Sequence, residues 1–216
     1  MEWLLGILDF FIHLDHHINT LIDHNGAWVY LIVFLIIFCE TGLVVTPFLP
    51  GDSLLFVLGT FASNGPLNIW VLLSVLLIAA ILGDSVNYYI GHRLAPKVFN
   101  NEKIPFIKRE YLERTKQFYE KYGGKTIIIA RFVPIVRTFA PFLAGVGSMK
   151  YLTFIIYNVA GAALWVVSLT LAGYFFGNIP IVEKNFTAVI YLIIVISILP
   201  AAIEIYNHKR AGKIGK

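Results

Sequence analysis

The chain has 216 residues, of which 58% are hydrophobic and only 14% charged, with a mean hydropathy of +0.76. An ordinary soluble domain is roughly 45–50% apolar and about 25% charged, so a soluble fold would lack polar surface, and the same composition excludes intrinsic disorder. The net charge of +4 is divided unevenly: residues 1–92 hold no Lys or Arg, and carry Glu2, Asp9, Asp15, Asp23, Glu40, Asp52 and Asp84, whereas residues 93–216 hold all 17 basic residues.

Residues 3–22 alternate apolar and polar at helical spacing around Asp9, His13, Asp15, His16 and His17. An amphipathic interfacial helix on the external side is expected for residues 1–26. The three histidines have a spacing that suits a metal, but with no further ligand in register they read as a solvated polar face, and no metal site or cofactor is expected. No positive n-region precedes the first apolar residues, so insertion is expected through internal spans.

Residues 27–39 are almost purely apolar and run into Glu40. Pro47, Pro50 and Gly51 follow, then a second apolar run from Ser53. Interior prolines remove helix hydrogen bonds and clash with the preceding turn, and irregular backbone at membrane depth is tolerated only where protein or a wet cavity covers it. The segment predicts a re-entrant, broken-helix hairpin over 28–62. A full span follows over 69–92, closing a first repeat over 27–94.

Residues 95–124 are polar and basic, with an amphipathic helix from about 108 to 122 expected on the cytoplasmic surface. The stretch 126–147 is apolar but interrupted by Arg131, Pro134, Arg137, Pro141 and Gly145, which predicts a second re-entrant hairpin. With a span over 151–177 it forms a second repeat over 125–178. A last span at 186–206 and a basic tail complete residues 179–216. Lys- and Arg-rich loops stay cytoplasmic, so loop 93–125 and the tail are placed inside. Because the basic residues flank apolar spans, nucleic acid is not an expected partner.

The two halves share a signature: PFLPG at 47–51 matches PFLAG at 141–145, and YYIG at 88–91 matches YFFG at 174–177. Entered from opposite sides, the hairpins would form an inverted repeat, an architecture that binds substrate between discontinuous helices near the midplane. The expected fold is therefore an all-α integral membrane protein with two opposed hairpins, several transmembrane helices and amphipathic interfacial helices.

Glu40 and Asp52 flank the first break, and Arg131 and Arg137 flank the second. A charge at the bilayer centre costs about 2.5–3.5 kcal/mol on insertion scales, so these four call for a reason. Mutual pairing that pins the hairpins is one; a wet transport site is the other. Arg stays protonated and presents a fork of donors matched to phosphate oxygens, making Arg131 and Arg137 candidate headgroup ligands. Glu40 and Asp52 can exchange protons and suit proton coupling. Asp84, late in the third apolar run, suits either a proton role or a bond to a neighbouring helix. The four tryptophans Trp3, Trp28, Trp70 and Trp165 read as interfacial belts, and Cys39 as a small packed hydrophobe. No nucleophile motif, zinc motif or P-loop is present, so an enzyme is not expected.

These residues resemble the DedA family, also called SNARE-associated or VTT-domain proteins. The carrying motifs are Glu40 with PFLPGD (47–52), GDSVNYYIGHRL (83–94), FYEKYGGKTIIIARFVPIVRTFAPFLAGVGSM (118–149) and FIIYNVAGAALW (154–165). The family often has Gly-Tyr where this chain has Asn87-Tyr88. The resemblance implies a bacterial inner-membrane lipid transporter that returns undecaprenyl phosphate across the cytoplasmic membrane, with protons as coupling ion. It places the family's functional acids and arginines at Glu40, Asp52, Arg131 and Arg137. Two alternatives stand beside it. In a proton-coupled exporter of a small cation or drug, the acids would form the substrate site. In a non-transporting membrane organiser, the charges would only pack helices.

Overall fold

The computed structural model describes residues 14–43, 51–63, 65, 67–99, 109–177 and 179, and these are helical with no strand among them. Helix α1 spans Leu14–Gly42, α2 Gly51–Ser63, α3 Ile69–Phe99 and α4 Arg109–Tyr122. A short 3-10 turn at Gly123–Lys125 leads into α5 (Thr126–Ala130), α6 (Pro134–Val146) and α7 (Tyr151–Phe176). The expected breaks at Pro47 and Pro50, the first turns of the N-terminal helix, the span at 186–206 and the basic tail lie outside the described residues.

Two boundaries differ from the sequence expectation. Helix α1 runs unbroken through residue 26, and α3 continues past Arg93 and through Pro96 to Phe99. The start of α3 is set by Asn68, whose side-chain oxygen accepts from the amides of Trp70 and Val71 at 3.0 and 3.2 Å, satisfying donors that the first turn leaves orphaned.

Among the described residues, α3 and α7 are long and apolar enough to cross a membrane, while Ala27–Gly42, α2 and residues 136–146 of α6 are shorter apolar helices. Their outer surface is apolar as well. Leu31, Leu35, Trp70, Val71, Ile78, Leu82, Leu152, Ile156, Leu164 and Phe175 are exposed. So large a continuous apolar exterior suits lipid rather than water.

The second break falls where backbone chemistry demands it. The end of α5 tightens into i→i+3 bonds from Arg131, Phe132 and Val133 to Ile128, Ile129 and Ala130. Val133 is then extended, at φ −121° and ψ 103°, the region forced on a residue that precedes proline. Pro134 occupies the first position of α6, where its missing N–H costs nothing. Pro141 and Gly145 were expected to interrupt this segment too, and that expectation is corrected: both lie within α6. Pro141 instead deletes the N–H that would bond Arg137's carbonyl.

The helices pair crosswise. Helix α2 packs on α7 and α6 on α3, while α1 lies against α3 and α5 against α7. Glycines bring the crosswise pairs together. A Cβ on Gly91 would lie 2.8 Å from the Phe142 carbonyl carbon, and one on Gly145 2.7 Å from the His92 nitrogen. Across the other pair, a Cβ on Gly59 would lie 2.9 Å from the Tyr174 nitrogen, and one on Gly173 2.7 Å from the Phe56 carbonyl carbon. Gly145 and Gly59 thus make matching contacts, whereas Gly51, aligned with Gly145 by sequence, faces the Glu40 carboxyl group.

Two larger apolar cores fill the bundle, beside a small third cluster of Phe139, Phe142 and Val146. One joins Val29, Ile37, Leu54, Leu58, Leu72, Leu76 and Val166 from α1, α2, α3 and α7. The other joins Tyr88, Ile127, Val136, Ala144 and Phe154 from α3, α5, α6 and α7. Helix α4 docks on α6, where the Tyr119 hydroxyl donates to the Ala140 carbonyl at 2.8 Å. Burial pushes the Tyr119 phenol well above its ordinary range, so it stays a donor at any working pH.

Candidate functional site

Asp84 stands fifteen residues from either end of α3, between core residues Leu76 and Tyr88. Asn158 holds the equivalent place on α7, between Phe154 and Ala162. The polar site therefore occupies the layer where these two apolar cores meet, at the middle of α3 and in the first third of α7. The helix ends converge on the same layer: Glu40 near the end of α1, Asp52 in the first turn of α2, Arg131 capping α5, and Arg137 at the start of α6. Their approach relies on small residues. A Cβ on Gly42 of α1 would lie 3.3 Å from Gly83 Cα of α3, and one on Gly161 of α7 3.2 Å from Arg131 Cδ and Nε.

Arg137 bridges the first break. Its Nη1 donates to Asp52 Oδ1 at 2.8 Å and its Nη2 to Glu40 Oε1 at 2.7 Å. Only a planar guanidinium offers two donors in a fixed fork that can span carboxylates from two helices. Asp52 Oδ1 also accepts from Trp165 Nε1 at 2.8 Å. Arg131 is bound separately: its Nη2 donates to Asp84 Oδ2 and, at 2.6 Å, to Asn158 Oδ1. Asn158 is itself oriented by donating to the Ile81 carbonyl at 3.1 Å. The indole of Trp165 is close to both cations, with guanidinium carbons 5.1 Å (Arg137) and 5.7 Å (Arg131) from its ring centre, within cation–π range.

Several buried polar atoms of this layer lack a protein partner: Glu40 Oε2, Ser53 Oγ, Asn87 Oδ1, and Arg131 Nε and Nη1. Buried polar groups are almost always bonded, so unpartnered atoms on both an acid and a base set this layer apart from the apolar cores around it. Chemically, the layer offers cationic donors to an oxyanion and carboxylates able to exchange protons.

All five charged residues picked out in the sequence meet here, and they are mutually paired. Both acids of the first break share Arg137, and Arg131 takes Asp84. Of the helix-break residues, Gly51 sits against Glu40 and Pro134 opens α6, while Gly145 belongs to the α3 interface. The belt reading is corrected for Trp165, which is 1% exposed, whereas Trp28 and Trp70 are 56% and 75% exposed. The depth of Trp165 in the middle of a span was the available signal. Asn158 and Asn87 were also missed. The Asn87 amide donates to the carbonyls of Thr41 at 3.1 Å and Thr138 at 2.9 Å, tying the end of α1 to α6. Asparagines at membrane depth carry the same signal as charges, in weaker form.

The VTT domain family model matches residues 49–175, which contain four of the five charged residues and both asparagines. The chain is 58% identical over 214 residues to Protein DedA of Escherichia coli K12, covering 98% of each chain. It is 43% identical over 183 residues to the uncharacterized membrane protein Rv0364 of Mycobacterium tuberculosis, covering 84% of this chain and 80% of that one. It is 33% identical over 156 residues to the inner membrane protein YqjA of E. coli K12, covering 72% and 71%. No solved structure matches. An apolar-surfaced helical bundle with a buried charged layer, matched over most of its length by proteins named for the membrane, belongs to the DedA family of VTT-domain membrane proteins.

Proposed function

We propose that this chain carries an anionic lipid headgroup across the bacterial cytoplasmic membrane, and that its lipid is undecaprenyl phosphate, moved inward with proton coupling through Glu40 and Asp52. The observation that carries the reading is Arg131, a guanidinium 2% exposed at the middle of the bundle with two of its three nitrogens unpartnered. A phosphate oxygen is the acceptor such donors suit. Arg137, held by two exchangeable carboxylates, supplies a second cation close by. A polyprenyl tail could stay in the bilayer while only the headgroup enters the charged layer. The choice of lipid rests on the family resemblance.

The proposed architecture is an inverted repeat of two opposed re-entrant hairpins, α1–α2 and α5–α6, each followed by a spanning helix. The crosswise packing supports it in a register shifted from the sequence match: the contacts align Phe56…Gly59 with Phe142…Gly145 and Tyr88…Gly91 with Thr170…Gly173. The basic loop 93–125 and the basic tail place both on the cytoplasmic side.

The test uses purified protein in liposomes loaded with undecaprenyl phosphate and a membrane-impermeant phosphatase outside. Protein-dependent exposure of lipid to the enzyme, faster with a pH gradient and lost in Arg131→Ala, is the expected result. Folded wild-type protein that moves no lipid with or without the gradient overturns the proposal, and cation transport becomes the next assay. Retained lipid movement in Arg131→Ala would remove that residue from the pathway.

A further inference from the structure

The charged layer is not neutral as paired. Glu40, Asp52 and Asp84 face Arg131 and Arg137, leaving one negative charge in excess among the described residues when every group is ionised. An anionic headgroup would raise that excess in a layer where charge is expensive, so binding needs a compensating change inside the protein.

The geometry places that change at Glu40. Its carboxyl group already sits where an oxyanion would. Oε1 accepts from Arg137 Nη2, and the group lies against the first residue of α2, so close that a Cβ on Gly51 would come within 2.5 Å of the carboxyl carbon. A helix N-terminus and a guanidinium together are the ordinary furniture of a phosphate site. Two buried side-chain oxygens at this spot, Glu40 Oε2 and Ser53 Oγ in the first turn of α2, have no partner. The charged groups around Glu40 are Arg137 on α6, Asp52 on α2 and Arg131 at the end of α5. Of these, Arg137 is the one whose donors Glu40 and a headgroup would both require.

Resting on the transport reading above, we propose that Glu40 is a resident stand-in for the lipid phosphate: the headgroup takes the place of Glu40 on Arg137, and Glu40 leaves that place as a neutral acid carrying a proton from the aqueous phase. No bond other than O–H forms. The proton adds to the Glu40 carboxylate, the Arg137 Nη2 hydrogen bond passes to a phosphate oxygen, and Asp52 keeps Nη1. For a singly charged headgroup the total charge of the layer is unchanged by the exchange. Proton uptake is then tied to headgroup binding, because Glu40 and the headgroup compete for the same place on Arg137 Nη2. Asp52 is a poorer candidate for release, since Trp165 holds it in place as well.

The experiment is calorimetric titration of the detergent-solubilised full chain with two probes, farnesyl phosphate and farnesyl sulfate, in buffers of different ionisation enthalpy. The spread between buffers counts protons taken up on binding. The sulfate headgroup does not titrate near neutrality, so any proton bound with it belongs to the protein. Wild-type protein is expected to take up about one proton with the sulfate at pH 7–8 by proton linkage. In Glu40→Gln the sulfate should bind with none, and more tightly, because the competing charge is gone. Wild-type binding of the sulfate without proton uptake overturns the exchange while leaving lipid recognition intact. Unchanged uptake in Glu40→Gln overturns the assignment to Glu40. Binding of neither probe removes this inference together with the lipid reading. The wild-type measurement stands alone should Glu40→Gln fail to fold.

Discussion

Replacing Gly145 by alanine probes the crosswise packing directly. The new Cβ would lie 2.7 Å from the His92 nitrogen, against about 3.4 Å for the shortest ordinary contact, and the obstacle is backbone that cannot rotate away. Helices α3 and α6 must therefore part by at least about 0.7 Å, and by more where the Tyr88 carbonyl oxygen is nearer still. Gly91→Ala forces the same movement, with its Cβ 2.8 Å from the Phe142 carbonyl carbon. Overpacking of this kind costs about 1–3 kcal/mol, and each variant should lose that much. The double variant should lose less than the sum by more than about 0.5 kcal/mol, because the first separation makes room for the second methyl. Gly145→Ala with Gly59→Ala should add, since Gly59 meets α7 and the two sites share no contact residue. Unfolding in mixed micelles by titration with sodium dodecyl sulfate, followed by tryptophan fluorescence, measures wild type, the three single variants and both doubles. Single variants as stable as wild type, or an additive Gly91/Gly145 pair, would refute the reasoning.

Asp84→Asn leaves the Arg131 guanidinium buried without its counter-charge and should cost about 3–5 kcal/mol in the same assay. Replacing both partners, as Asp84→Leu with Arg131→Met, should recover most of that stability while lipid movement stays absent. Trp165→Phe keeps a ring close to both guanidiniums but removes the bond to Asp52; a loss of about 1.5–3 kcal/mol is expected for a hydrogen bond to a charged group. Ser148 follows α6 at φ 54°, and the Ser148 and Met149 amides bond Gly145 and Ala144 in a helix-ending turn that favours glycine. Ser148→Gly should therefore stabilise by about 1 kcal/mol, and a higher unfolding midpoint checks it.

The sequence carried the class of fold plainly, because a chain with 58% hydrophobic residues has no soluble solution. It also carried the charged residues, since each interrupts an apolar run. What it did not carry was their pairing. Nothing in residue order says that Arg131 pairs with Asp84 and Arg137 with Glu40 and Asp52; that choice exists only in the folded arrangement, where Asn158 of α7 holds Arg131 beside Asp84. The second break was legible in Val133-Pro134 but misplaced at Pro141, because a proline within a helix deletes one hydrogen bond without ending the helix when packing on α3 holds both sides. The register of the internal match was off for a related reason. Sequence alignment weighs identical letters, whereas the contacts depend on where a helix can shed its Cβ, which at α2 is Gly59 rather than Gly51. Trp165 was misread from its residue type, and its depth along α7 carried the correction.

The bridge from Arg137 to Glu40 and Asp52 joins the two halves of the chain, and this has a consequence for biogenesis. A ribosome delivers Glu40, Asp52 and Asp84 before either arginine of the layer exists. Until residue 137 has emerged, the first half contains carboxylates destined for the middle of the membrane and no cation of its own, because residues 1–92 lack Lys and Arg. Such groups resist entry into hydrocarbon. Helices α1 and α2 must therefore wait at the interface or enter with their acids protonated, and their buried carboxylates gain counter-charges only when the second half arrives. The order of charges along the chain thus makes the late half a folding partner that the early half cannot do without.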